Sequence, residues 1–107
     1  MAAFGVRVAC YVHGVTFVTV NFVGKRSGSN NDNFEMRVVR RIAGFADVPL
    51  PGKAIFSLLA DPTGRTWQWV DGDTPLSGAI DYVLQVNRLD GGGSFNQMLM
   101  TAIHSKR

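Results

Sequence analysis

Hydrophobic and polar residues alternate along most of this 107-residue chain. The alternation is clearest over 6–13, 18–22, 34–38 and 80–86, where every second side chain is apolar. A period of two places successive side chains on opposite faces of a β-strand, whereas an amphipathic helix needs a period near 3.6. The pattern predicts an all-β protein, an antiparallel β-sandwich or jelly roll of about seven to eight strands, with residues 1–107 as a single domain.

The segments between these stretches give further expectations. The polar run 25–33 contains no hydrophobic residue and is predicted as a loop. Residues 61–64 have the composition of a type I turn, which predicts a hairpin between the strands on either side. Residues 95–103 fit both a helix template and a strand that is apolar on both faces. Because strands are predicted elsewhere in the chain, we favour a strand for this last segment.

Composition excludes several classes of protein. Hydrophobic residues make up 46% of the chain and charged residues 18%, as in folded domains rather than disordered ones. Cys10 is the single cysteine, so an intrachain disulfide and a cysteine-based zinc site are excluded. The first residues lack the pattern of a signal peptide, and no apolar run approaches the length of a membrane span. The net charge of +3 favours weak attraction to acidic surfaces, and we expect neither a membrane nor a nucleic acid as partner.

No arrangement of side chains in the sequence indicates catalysis. His13 and His104 are predicted at strand ends, where a solvated or structurally paired histidine is the simpler interpretation. Asp71 and Asp73 flank a glycine, as turn aspartates do. The run 31–33 could supply oxygen ligands to a calcium ion, but the EF-hand spacing is absent. We therefore expect no enzyme, no cofactor, and no catalytic, cofactor-binding or metal-binding residues.

Two sets of residues are candidates for binding a partner. Arg37, Arg40 and Arg41 form the densest basic group, which is either a solvated face or a docking surface for an acidic partner. Trp67 and Trp69 are two positions apart and share one face of a strand. They either line the core, anchor a subunit contact, or form a stacking platform in a soluble carbohydrate- or ligand-binding β-sandwich. Nucleic-acid binding is the third interpretation of the arginines, but the aromatic pattern of an RNA-binding sheet is missing.

The last third of the chain carries a more specific pattern. It consists of residues 73–78 (DTPLSG), 82–86 (YVLQV) and, after a glycine-rich turn, 99–107 (LMTAIHSKR). This order resembles small virion proteins of tailed phages, whose jelly rolls are of the tumour-necrosis-factor type. His104 and Ser105 depart from the family pattern, where an acidic or apolar pair is expected.

The resemblance implies a structural role in the virion. Proteins of this kind serve as capsid decoration or cement proteins, which bind and stabilise a capsid lattice without catalysis, or as tail or head fibre modules. For this chain it implies the major capsid protein lattice as partner, a homo-oligomer (dimer or trimer), and a virion location after assembly in the host cytoplasm. It does not decide between the capsid and the tail.

Overall fold

The computed structural model describes residues 4–26, 32–90 and 93–107, and within these ranges the backbone forms eight β-strands and no helix. The strands are β1 (Phe4–Cys10), β2 (Val15–Arg26), β3 (Asp32–Arg41), β4 (Val48–Pro49), β5 (Ala54–Leu58), β6 (Thr63–Asp71), β7 (Gly78–Asp90) and β8 (Gly93–Ser105). The all-β class and the number of strands are as predicted from the period of two.

The strands form two antiparallel sheets that pack face to face. The five-stranded sheet has the order β1-β7-β3, and β4 and β5 both pair with the remaining edge of β3. The three-stranded sheet has the order β6-β2-β8. Most strands lie in the sheet opposite to that of the preceding strand, so the chain repeatedly crosses the core. The predicted β-sandwich in a single domain is confirmed.

The last segment of the chain is a strand, as favoured above. Strand β8 pairs along its whole length with β2, from Ser105 opposite Val15 to Gly93 opposite Arg26. The pairing has one bulge, between Val23 and Gly24 of β2. This long edge of β2 satisfies the backbone of β8, so residues 95–103 do not form the alternative helix.

The core lies between the sheets and is built from alternate residues of the long strands. Tyr82 and Leu84 of β7 face inward and are buried, as the alternation over 80–86 predicts. Phe22, Phe34, Phe56 and Phe95 form an aromatic cluster, in which the Phe22 and Phe56 ring centroids are 4.8 Å apart. The other fully buried apolar side chains include Val18, Val20, Met36, Val38 and Ile80.

Two expectations about connections need correction. The predicted loop over 25–33 is shorter, because β2 continues to Arg26 and β3 begins at Asp32, while residues 27–31 lie outside the described part. The predicted hairpin about residues 61–64 is wrong. Strand β5 pairs with β3 in one sheet and β6 pairs with β2 in the other, so this turn carries the chain across the sandwich.

Candidate functional site

The outer face of the three-stranded sheet is made of uncharged residues. Residues Thr16, Val18, Val20 and Phe22 of β2 are buried, so their alternate neighbours point away from the core. The pairing register then assigns the facing residues of β6 and β8 to the same surface. This surface, called here the neutral face, consists of Val15, Phe17, Thr19, Asn21 and Val23, of Gly64, Thr66, Gln68 and Val70, and of Gln97, Leu99, Thr101 and Ile103.

The neutral face is arranged in rows across the three strands. One row is entirely apolar: Val70, Phe17 and Ile103 lie side by side, and Ile103 is 71% exposed. Two rows further along the strands, Leu99 is 59% exposed beside Asn21. Charged side chains follow only beyond the ends of these rows, at Lys25 and Lys106. Exposed apolar surface of this extent is uncommon on monomeric proteins and is typical of protein contacts.

The polar side chains of the neutral face bind one another. Thr66 donates a hydrogen bond from Oγ1 to Asn21 Oδ1 at 2.6 Å, across neighbouring strands. This bond reduces the freedom of both side chains before any partner arrives. The polar part of the face is therefore partly ordered, and the face carries no charge.

The outer face of the five-stranded sheet has the opposite character. This charged face carries Arg7, Glu35, Arg37, Arg41 and Asp81. Arg7 Nε lies 2.8 Å from Asp81 Oδ1, and the hydrogen bond from Arg7 holds the pKa of the Asp81 carboxyl below its usual range. Charge on this face is thus largely arranged in pairs.

The three arginines identified in the sequence do not form one cluster. Arg37 and Arg41 point outward on the charged face. Arg40 lies on the opposite face of β3, so it points inward and its side chain is only 17% exposed. Arg41 makes a bidentate contact with Asp47, with Nη2 to Oδ2 at 2.8 Å, and this contact lowers the pKa of Asp47. Arg37 donates from Nε to the Gln85 amide oxygen at 2.6 Å. Arg37 and Arg41 are consequently the members of the set that a partner can reach.

The two tryptophans point toward the same side of β6 but differ in exposure. Trp69 is 2% exposed and donates from Nε1 to the Gly52 carbonyl oxygen at 3.1 Å, so it belongs to the core. Trp67 is 39% exposed at the edge of the sandwich. The pair does not form an exposed stacking platform, because one of its members is covered.

A network of buried polar groups links the two sheets at one end of the sandwich. Arg40 Nη1 lies 3.0 Å from Asp71 Oδ1, and the Tyr82 hydroxyl donates to Asp71 Oδ2 at 2.8 Å. The Thr16 side chain lies beside the Tyr82 hydroxyl. Burial, reinforced by the Asp71 carboxylate, raises the pKa of the Tyr82 phenol above its ordinary value of 10.0. The phenol therefore remains a proton donor to the ion pair.

The same network continues to His104 on β8. Thr16 Oγ1 lies 2.8 Å from His104 Nδ1, and the backbone N–H of Tyr11 donates to His104 Nε2 at 2.9 Å. Because Nε2 accepts a hydrogen bond, the proton of the neutral imidazole is on Nδ1 and is donated to Thr16. His104 in this tautomer cannot remove a proton from Thr16, which is itself fully buried. This arrangement stabilises the fold and has no geometry for activating a nucleophile.

The remaining chemically active side chains are dispersed. His13 Nδ1 lies 2.9 Å from Asp73 Oδ1 at an exposed end of the sandwich. Cys10 is buried. Within 4–26, 32–90 and 93–107, no group of three or more histidine, cysteine, aspartate or glutamate side chains is placed to hold a metal ion. Those ranges also contain no helix that is long and apolar enough to cross a membrane.

An apolar groove of about 480 Å³ opens between the sheets at the other end of the sandwich. Arg88 stands at this groove with its guanidinium carbon 5.5 Å from the centre of the Phe34 ring. The lining residues are Phe4, Phe34, Leu84, Val86, Arg88, Gly93, Ser94, Phe95 and Met98. A sugar site needs several convergent hydrogen-bonding side chains, and among the described residues of this lining only Arg88 and Ser94 offer them.

The neutral face was missed from the sequence, although a signal for it is present. Residues 15–24 contain no charged residue at either parity, whereas a strand with one solvent-facing side normally carries charges on that side. Scans against protein-family models, curated proteins and solved structures gave no match.

Proposed function

We propose that this chain is a structural virion protein, a capsid decoration or cement protein that binds a phage capsid lattice and stabilises it by contact, without catalysis. One observation carries this proposal: within the described residues no further strand or helix packs over either outer face of the sandwich, and the two faces differ in chemistry. The resemblance of residues 73–107 to small virion proteins supports the same proposal.

A decoration protein has two tasks, which are to associate with its own copies and to dock on a lattice of another protein. An uncharged, partly apolar face suits the first task, because it is the kind of surface that homo-oligomers bury. A face of ordered charges suits the second task, because charge complementarity selects the partner and accelerates the encounter. The neutral face and the charged face match these two tasks.

Arg37 is the residue of the charged face that we assign to the lattice contact. Its guanidinium is bonded to the neutral Gln85 side chain, while the nearby Glu35 carboxylate pairs with Lys53. Arg41 is already bonded to Asp47 and contributes less free charge. An acidic surface on the lattice would therefore attract this face chiefly through Arg37.

Binding to capsid particles that lack the protein tests the proposal. We expect saturable binding with an integral copy number, and Arg37→Glu should weaken affinity about tenfold at low salt. At 1 M salt the difference should nearly vanish, because the screening length falls to about 3 Å. Lys106→Glu is the control. It makes the same change of charge directly after the end of β8 and should bind like wild type.

The outcome also separates the alternatives. Binding to tails but not to heads would replace the decoration role with a fibre module. No binding to any particle at any salt would remove the virion proposal. The ligand-binding alternative has less support, because Trp69 is buried and unavailable for stacking.

A further inference from the structure

We infer that the neutral face is the interface of a homodimer, in which two copies pack their three-stranded sheets face to face about a two-fold axis that runs along β2. The inference deepens the self-association that the proposed function assigns to this face, but it is argued from the surface itself and holds whether or not the chain docks on a capsid. Its partner is a second copy of this chain.

Charge favours a second copy over other occupants. Each molecule has a net charge of +3, so two copies repel one another over most approaches. The neutral face itself adds no charged side chain to this repulsion, and the nearest lysines, Lys25 and Lys106, lie beyond its ends. An acidic or basic partner, in contrast, would find no opposite charge on this face, so its charged groups would not contribute to binding there.

Two rows of the face are complementary to themselves under the proposed symmetry, whereas in the row beyond them Leu99 lies over Thr66. Rotation about an axis along β2 places β6 of one copy over β8 of the other. Phe17 then meets Phe17 of the second copy, while Val70 covers Ile103 on both sides. In the adjacent row, Gln68 faces Thr101, so an amide meets a hydroxyl. Apolar groups are matched with apolar groups at one end of the face, and polar with polar in the row beside them.

The size of the face is sufficient for a stable dimer. Three strands about 4.8 Å apart and about nine residues long, at about 3.3 Å per residue, give about 430 Å² in plan. The exposed side chains raise the accessible area, and Phe17, Leu99 and Ile103 are 39%, 59% and 71% exposed. The face therefore offers on the order of 700–800 Å² per copy, close to the area of a standard protein interface. Two sheets packed face to face lie about 10 Å apart.

Sedimentation of the full chain between about 1 and 100 µM tests the inference, with a matched pair of variants. Wild type should have twice the 11.7 kDa chain mass. Ile103→Lys should sediment as a folded monomer. Its dimer dissociation constant should rise at least about a hundredfold, because the symmetric interface would bury two unpaired lysines. Ile55→Lys is the control: Ile55 is 61% exposed on the outer face of the five-stranded sheet, and its variant should stay dimeric.

A second measurement removes dependence on the folding of the lysine variant. Thr19→Cys lies at the centre of the face, so a bismaleimide of about 8 Å should link two copies across the sheets. Ile55→Cys should not be linked, and the native Cys10 is buried.

A wild-type chain that is monomeric at 100 µM, a trimer, or equal behaviour of the two lysine variants would each overturn the dimer. These results are distinct from failure of the proposed function. A monomer that still binds capsid particles contradicts the dimer alone, whereas a dimer that binds no particles contradicts the virion role alone.

Discussion

Replacing Tyr82 by phenylalanine removes one hydroxyl from the buried polar network and changes little else. The hydroxyl donates to Asp71 Oδ2 at 2.8 Å, and Tyr82 is fully buried, so no water can take its place at the carboxylate. A hydrogen bond to a charged group contributes about 1.5–3 kcal/mol to stability. We expect Tyr82→Phe to lower the free energy of unfolding by about 2 kcal/mol, which corresponds to about 8–9 °C in melting temperature for a chain of this length.

The pH dependence provides a second signature of the same contact. Burial and the Asp71 carboxylate raise the pKa of the folded phenol above 10.0, whereas in the unfolded chain the phenol ionises near that value. The folded state therefore holds the proton more tightly, and its advantage is complete below pH 10. As pH rises above 10, wild type loses this stabilisation, by about 1.4 kcal/mol at pH 11. The difference between wild type and Tyr82→Phe should shrink accordingly from about 2 to under about 1 kcal/mol.

Urea unfolding at pH 7, 10 and 11 measures both effects, with Tyr11→Phe as the matched control. Tyr11 is 52% exposed, so losing its hydroxyl should change the free energy of unfolding by less than about 0.5 kcal/mol at each pH. If Tyr82→Phe unfolds like Tyr11→Phe, or if its deficit is unchanged at pH 11, the hydroxyl does not support the Arg40–Asp71 pair as argued.

Two further pairs of variants test the packing. Leu84→Ala should cost about 2–5 kcal/mol by urea unfolding because Leu84 is on the buried face of β7, whereas Gln85→Ala should cost under about 0.5 kcal/mol; similar costs would contradict the register. Gly14→Ala should lower the melting temperature measurably, because a Cβ there would press on the His104 ring. Gly72→Ala meets open space and should leave the melting temperature within about 2 °C, so equal shifts would disprove the close approach.

The strands of this protein were predictable because alternation is a local property. Each of the stretches over 6–13, 18–22, 34–38 and 80–86 lies wholly or mostly within a strand. Pairing is not local: β1 pairs with β7, and β2 with β8. The turn over 61–64 has the composition of a hairpin turn in either case, since the residues that bend a chain do not specify which sheet receives the next strand. For that reason the predicted hairpin was wrong, and Thr63 and Gly64, which were predicted in the turn, are the first residues of β6.

The candidate site was only partly predictable, for a related reason. Arg37, Arg40 and Arg41 were grouped by their proximity in the sequence, but the period of two already separates Arg40 from the others. Applied to these residues, it would have assigned Arg40 to the inner face, although its partner Asp71 comes from a strand of the other sheet. The neutral face needed the register of three strands, and only the uncharged run in β2 pointed to it.

The pairing order of the three-stranded sheet also governs how the chain can fold during synthesis. Strand β2 emerges early from the ribosome, but its neighbours β6 and β8 are translated much later. Until then, β2 has two open edges and no charged residue between Val15 and Gly24, a composition typical of segments that aggregate. Pairing over such long sequence separations is slow to form. We therefore expect truncation before β8 to yield an insoluble product, and expression to depend on how quickly β2 is covered.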